Sequence, residues 1–151
     1  MTDPLDPTQG LLSLDPDWTA ATVAVQAGRP ARTPGAPMNA PITMSPTYLH
    51  DAPLEYGRDG NRGWTALETA LGALDGGTAV TFGSGLAAAT AIADLVPLGG
   101  TVVLSAVTYY GVRVIFERLQ AAGRLTLRMA PADDADAFLR AADGAAMVWV
   151  E

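Results

Sequence analysis

The chain has 151 residues, 49% of them apolar and 17% charged, enough material for one globular core. Its formal net charge of −7, with nine basic residues scattered along the chain, argues against a nucleic-acid-binding surface, because phosphate backbones are held by clustered Lys and Arg. The absence of cysteine excludes disulfides and thiolate metal sites, and no apolar run approaches the ~20 residues that cross a bilayer, so no nucleic acid, no membrane and no metal centre is expected.

The first residues, Met1-Thr2-Asp3-Pro4, lack the basic start and apolar core of a signal peptide, and a cytoplasmic location is expected. Nine of the eleven prolines lie in residues 1–53. That density predicts an extended N-terminal arm over residues 1–63, interrupted by one short helix from Asp17 to Ala27 with Asp17 as its cap and Gly28 as its stop. Such an arm needs another surface to lie on, and Ile42, Met44, Tyr48 and Leu49 are apolar enough to dock; for residues 1–16 a disordered tail is the competing reading.

From Trp64 the pattern becomes regular, which sets a second segment over residues 64–151. Thr65-Ala66-Leu67-Glu68 has the spacing of a capping box, Leu71 and Leu74 follow on one helical face, and Gly76-Gly77 stops the helix. Thr78–Phe82 then reads as a strand, Leu86–Val96 as an Ala-rich helix ended by Pro97, and Thr101–Ser105 as a strand. Val112, Ile115, Phe116 and Leu119 predict a helix over Tyr110–Ala122; Leu125, Leu127 and Met129 alternate as a strand; Asp133–Ala142 is a helix and Met147–Val150 a strand. The alternation implies an α/β domain with a mostly parallel sheet and right-handed crossovers. Its last apolar strand runs to Glu151 without a covering element, which reads as a domain cut short.

Chemistry is expected at the strand ends, where open α/β sheets bind ligands. Gly83-Ser84-Gly85-Leu86 leads from a strand into a helix, so backbone N–H groups and the helix N-terminus can face a phosphate; a glycine pair serving only a tight turn explains the same run. Its spacing fits neither the dinucleotide fingerprint nor a P-loop. Arg58 is a forked phosphate donor, and Tyr56 falls on the same side if the stretch is extended; a surface arginine beside a half-buried tyrosine is the alternative. Tyr109 or Tyr110 can stack on a planar ligand, or serve only as core packing. His50 and Asp94 read as solvated surface residues.

Tyr56-x-Arg58 with Gly60-Asn61, the Ser84-Gly85-Leu86-Ala87-Ala88 loop, Tyr109 ahead of Phe116-Glu117-Arg118-Leu119, and the closing Val148-Trp149-Val150-Glu151 resemble, in order and spacing, the cysteine and methionine metabolism family of pyridoxal-phosphate enzymes, which includes the cystathionine gamma-lyases and gamma-synthases. The likeness spans about residues 23 to 151, with Ala40-Pro41-Ile42-Thr43 and Thr47-Tyr48 similar to the family's arm. The resemblance implies an arm plus part of a fold-type I large domain and pyridoxal 5'-phosphate as cofactor. It also implies elimination or gamma-replacement on a small amino-acid substrate: cystathionine, homocysteine, methionine or an activated homoserine. It places the Gly85 and Leu86 amides on the cofactor phosphate, Tyr56 and Arg58 on that phosphate from a neighbouring subunit of a homo-oligomer, a tetramer built from dimers with shared sites, and Tyr109 over the pyridine ring as the one catalytic candidate, helping to move protons.

Three features depart from the family pattern. Arg62-Gly63 replaces the usual Pro-Thr after Gly60-Asn61, Tyr110 stands where many members have glycine, and Arg113 falls one residue early. More consequentially, all nine basic residues are arginine, whereas the family holds its cofactor through a lysine Schiff base. That lysine, the pyridine-nitrogen aspartate and the substrate-carboxylate arginine are expected beyond Glu151. A non-catalytic binding protein, or one half of a split enzyme, is the alternative.

Overall fold

A computed structural model describes residues 10–50 and 54–151. The chain divides into two compact units, Met1–Thr81 and Phe82–Glu151.

In the first unit, α1 (Ala20–Gln26) starts two residues later than Asp17 predicts. Thr19 is the cap, its hydroxyl accepting from the Thr22 N–H at 3.3 Å, while the Asp17 N–H donates to the Asp15 carboxylate in the preceding turn. A cap must stand directly before the first helical residue, and Thr19 does. The chain leaves α1 through Ala27 and Gly28, whose φ of +74° suits glycine, and then pairs briefly with residues 10–12 through Leu12 N–H to Arg29 O and Ala31 N–H to Gly10 O.

The second helix, α2 (Arg62–Asp75), begins three residues before Thr65, capped by Asn61, whose side-chain oxygen accepts from the Gly63 N–H at 2.8 Å. Thr65 and Glu68 therefore lie inside the helix and form no capping box. The Glu68 carboxylate instead accepts from both the N–H and the hydroxyl of Thr81, at 2.7 and 2.8 Å. Thr78–Phe82 is not the expected strand: it pairs with none of the described strands, and the Thr81 N–H goes to the Glu68 side chain instead. Gly76, at φ +68°, closes α2 as predicted. A Cβ on Gly28 would lie 2.0 Å from the Ala66 carbonyl oxygen, so α1's exit rests directly on α2. Part of the arm thus folds onto its own unit.

In the second unit, α3 (Gly85–Asp94) precedes β1 (Thr101–Ser105), α4 (Tyr110–Ala121), β2 (Thr126–Ala130), α5 (Ala135–Ala142) and β3 (Met147–Trp149). The helix predicted from Asp133 is capped by Asp134, whose carboxylate accepts from the Ala137 N–H at 2.8 Å. The three strands are parallel in the order β2-β1-β3, with Val102 paired to Leu127 and to Met147. Paired residues share a face, so Val102, Leu104, Leu127, Met147 and Trp149 form one apolar layer. Ala89 and Ala93 of α3 and Val112 and Phe116 of α4 cover it. Phe116 is fully buried and meets Trp149 edge-on, ring centres 5.9 Å apart. Arg128 faces the other way and donates to the Ala141 and Asp143 carbonyls at the end of α5. The crossovers β1-α4-β2 and β2-α5-β3 run in opposite directions across the sheet; two connections of one hand must then put their helices on opposite faces, as they do here. The central strand β1, buried from Val102 to Ser105, aims its C-terminal end at the start of α4.

Candidate cofactor-binding site

Two helix N-termini define the candidate site in the second unit. At α3, the Ser84 hydroxyl accepts from the Ala87 N–H at 3.1 Å and its carbonyl from the Ala88 N–H, which leaves the Gly85 and Leu86 N–H groups as the free donors of the first turn. Neither Gly83 nor Gly85 has a positive φ, so turn geometry does not demand glycine, and a Cβ at either would meet nothing within 4 Å. The backbone here is open to close approach. At α4, Tyr109 occupies the cap position without a side-chain capping bond.

The Tyr109 ring lies against this same corner. Its Cε1 and the Leu86 Cδ1 both approach the point where a Cβ on Gly111 would stand, at 2.6 and 3.1 Å. Tyr109 remains largely exposed, so one face of the ring is available to a ligand. Tyr110 is oriented by a different contact: the Arg113 guanidinium lies over its ring at 5.6 Å, and the Arg113 Nε is 3.3 Å from the Glu117 carboxylate. Thr108, which the sequence reading did not single out, is 7% exposed, and its hydroxyl has no hydrogen-bond partner among the described residues. A buried polar group without a partner costs about 1–3 kcal/mol, which makes it a ready donor or acceptor. Only its place in the turn after β1 hinted at it.

Tyr56 and Arg58 belong to the first unit. They meet, but not by alternating along an extended strand: Asp59 and Gly60 donate to the Tyr56 carbonyl in a turn, and the Arg58 guanidinium folds over the Tyr56 ring at 4.7 Å. The Tyr48 N–H donates to the Glu55 carbonyl and the Gly57 N–H to the Pro46 carbonyl, an isolated antiparallel bridge that sets Thr47 beside Tyr56. Arg58 is exposed and Tyr56 half-buried. His50 is hydrogen-bonded to Glu55, and no group of His, Asp and Glu suited to a metal occurs among the described residues.

Free amides at a helix N-terminus and an exposed ring that approaches Gly111 together with the Leu86 side chain fit a planar group that carries a phosphate. The α/β fold that carries this arrangement, with its small parallel sheet, is that of part of a fold-type I pyridoxal-phosphate enzyme. The family model described as Cys/Met metabolism PLP-dependent enzyme matches residues 21–151, and the chain belongs to that family. A Streptomyces coelicolor protein provisionally named as a cystathionine gamma-lyase is 34% identical over 140 residues, 86% of this chain and 35% of its own length. The rat cystathionine gamma-lyase is 34% identical over 106 residues, 66% of this chain and 27% of its own. Among solved structures, a cystathionine gamma-lyase from Micromonospora echinospora superposes with a TM-score of 0.76 at 29% identity, covering 88% of this chain and 37% of that one. The chain therefore spans about a third of the length of the relatives it matches. Pyridoxal 5'-phosphate is the family's cofactor.

Proposed function

We propose that this chain supplies the phosphate- and ring-holding part of a trans-sulfuration enzyme that carries out elimination or gamma-replacement on cystathionine, homocysteine, methionine or an activated homoserine. The observation that carries this reading is that the Leu86 side chain, from the first turn of α3, and the exposed Tyr109 ring, at the start of α4, both approach the same point beside Gly111. Bound pyridoxal phosphate supplies an electron sink for negative charge at the substrate α and β carbons. The Gly85 and Leu86 amides hold the phosphate in the field of the helix N-terminus. Tyr109 covers the ring and its hydroxyl assists proton movement. The stacked Tyr56–Arg58 pair presents its guanidinium to the phosphate of a neighbouring subunit, within a tetramer of dimers in the cytoplasm, with residues 1–63 as the arm and 64–151 as part of the large domain. The absence of lysine favours a second reading, a non-catalytic partner or one half of a split enzyme.

Two measurements test these readings. The protein at its native length, with cofactor, is expected to release a 2-oxo acid from L-cystathionine or L-homocysteine, or to exchange the leaving group of an activated homoserine. Cofactor binding without any such turnover would refute the enzyme reading and favour the partner. For the 151-residue chain alone, borohydride reduction after incubation with pyridoxal phosphate, followed by peptide mapping, is expected to mark no internal residue; an internal adduct would overturn the claim that the anchoring amine comes from elsewhere.

A further inference from the structure

We infer that Gly111 is a positioning residue for Tyr109, because a Cβ at this one position would occupy the space into which the tyrosine ring folds. This rests on the reading of Tyr109 as the ring that covers the cofactor. Gly111 is the second residue of α4, a place where glycine is a poor choice for the helix itself, since it loses more backbone entropy than alanine. Its φ is not positive, so no turn requires it. What requires it is space. An ideal Cβ would stand 2.6 Å from Tyr109 Cε1 and 3.3 Å from Tyr109 Cδ1, with Leu86 Cδ1 at 3.1 Å on another side. Carbon atoms in contact sit about 3.5–4.0 Å apart, so the first distance cannot be kept.

What gives way is decided by burial. Tyr109 has no hydrogen bond from its side chain to hold it at the cap position and is 62% exposed, whereas the backbone of α4 is anchored by the buried Val112 and Phe116. The ring moves and the helix stays. Alanine at 111 thus turns Tyr109 away from Leu86 and the α3 amides without removing any group that could touch the cofactor. The Tyr110 ring is engaged by a different contact, the Arg113 guanidinium 5.6 Å from its centre.

A double-mutant cycle over Gly111→Ala and Tyr109→Ala in the protein at its native length tests this, with pyridoxal-phosphate affinity read by equilibrium dialysis and ring position by fluorine NMR of 3-fluorotyrosine at 109. Gly111→Ala is expected to shift the Tyr109 fluorine resonance and to weaken cofactor binding about two- to tenfold, the range that loss of one ring stack produces. In the Tyr109→Ala background the same change is expected to have no further effect, because there is no ring left to displace. An equal loss in both backgrounds, or an unmoved fluorine resonance, would overturn the inference. A Tyr109→Ala variant with unchanged affinity would instead overturn the stacking reading and the role of Gly111 with it. Should Gly111→Ala lower the melting temperature, removing the ring is expected to restore it; a double variant as unstable as the single one counts against the ring as the atom group in conflict.

Discussion

Replacing Ser84 separates the two roles its position combines, capping α3 and bordering the phosphate donors. Ser84→Ala removes the oxygen that accepts from the Ala87 N–H at 3.1 Å. Loss of a serine cap costs about 1 kcal/mol, so urea unfolding is expected to show a drop of that size. Ser84→Asp keeps a competent cap and is expected to hold stability within about 0.5 kcal/mol of wild type, since aspartate and serine cap nearly equally well. It also puts a negative charge next to the Gly85 and Leu86 amides. At a separation of about 5 Å and an effective dielectric of roughly 40–80, each unit-charge pair repels by about 0.8–1.7 kcal/mol, so a phosphate carrying about two negative charges loses about 1.7–3.3 kcal/mol there, roughly twenty- to three-hundredfold in affinity. Equilibrium dialysis with pyridoxal phosphate, repeated at low and high salt, is the assay, with the loss largest at low salt. A Ser84→Asp variant that is as stable as wild type and binds the cofactor equally well would refute the placement of the phosphate at α3.

Phe116→Ala opens a void where a fully buried ring meets Trp149, and a loss of about 3–5 kcal/mol is expected in urea unfolding; a change under about 1 kcal/mol would mean that this face of the sheet is not the core. Gly28→Ala faces both a φ of +74° and the Ala66 carbonyl oxygen at 2.0 Å from its Cβ, and is expected to destabilise by about 2–5 kcal/mol, with near-normal stability contradicting the contact between α1 and α2. Tyr109→Phe is expected to keep the cofactor but slow turnover at least tenfold, while Tyr110→Phe, whose ring still accepts Arg113, stays close to wild type; the reverse order in steady-state kinetics moves the stacking role to Tyr110.

The elements of the second unit were legible in the sequence because each is governed by local rules. Val112, Ile115, Phe116 and Leu119 repeat with the helical period, and Thr101–Ser105 is a short apolar run between turn residues, found at the same bounds in the structure. The family, too, was legible, since the tyrosine-arginine pair and the glycine-serine loop are runs of chain neighbours, and the family model matches residues 21–151. Competition between partners was not. Thr65-x-x-Glu68 and Asn61 each satisfy the rules for a helix start, and only the fold decides that Asn61 caps while Glu68 bonds Thr81. A strand at Thr78–Phe82 depended on a ladder that local pattern cannot supply, and its donor went to a side chain. Likewise, adjacent tyrosines at 109 and 110 are equivalent by type. Tertiary contact separates them: Gly111 leaves space for one ring beside Leu86, and Arg113 holds the other. Periodicity and spacing fix which segments form and what chemistry they carry, because those follow from neighbours in the chain; which of two suitable groups wins a hydrogen bond or a cavity depends on atoms distant in sequence, and so belongs to the fold.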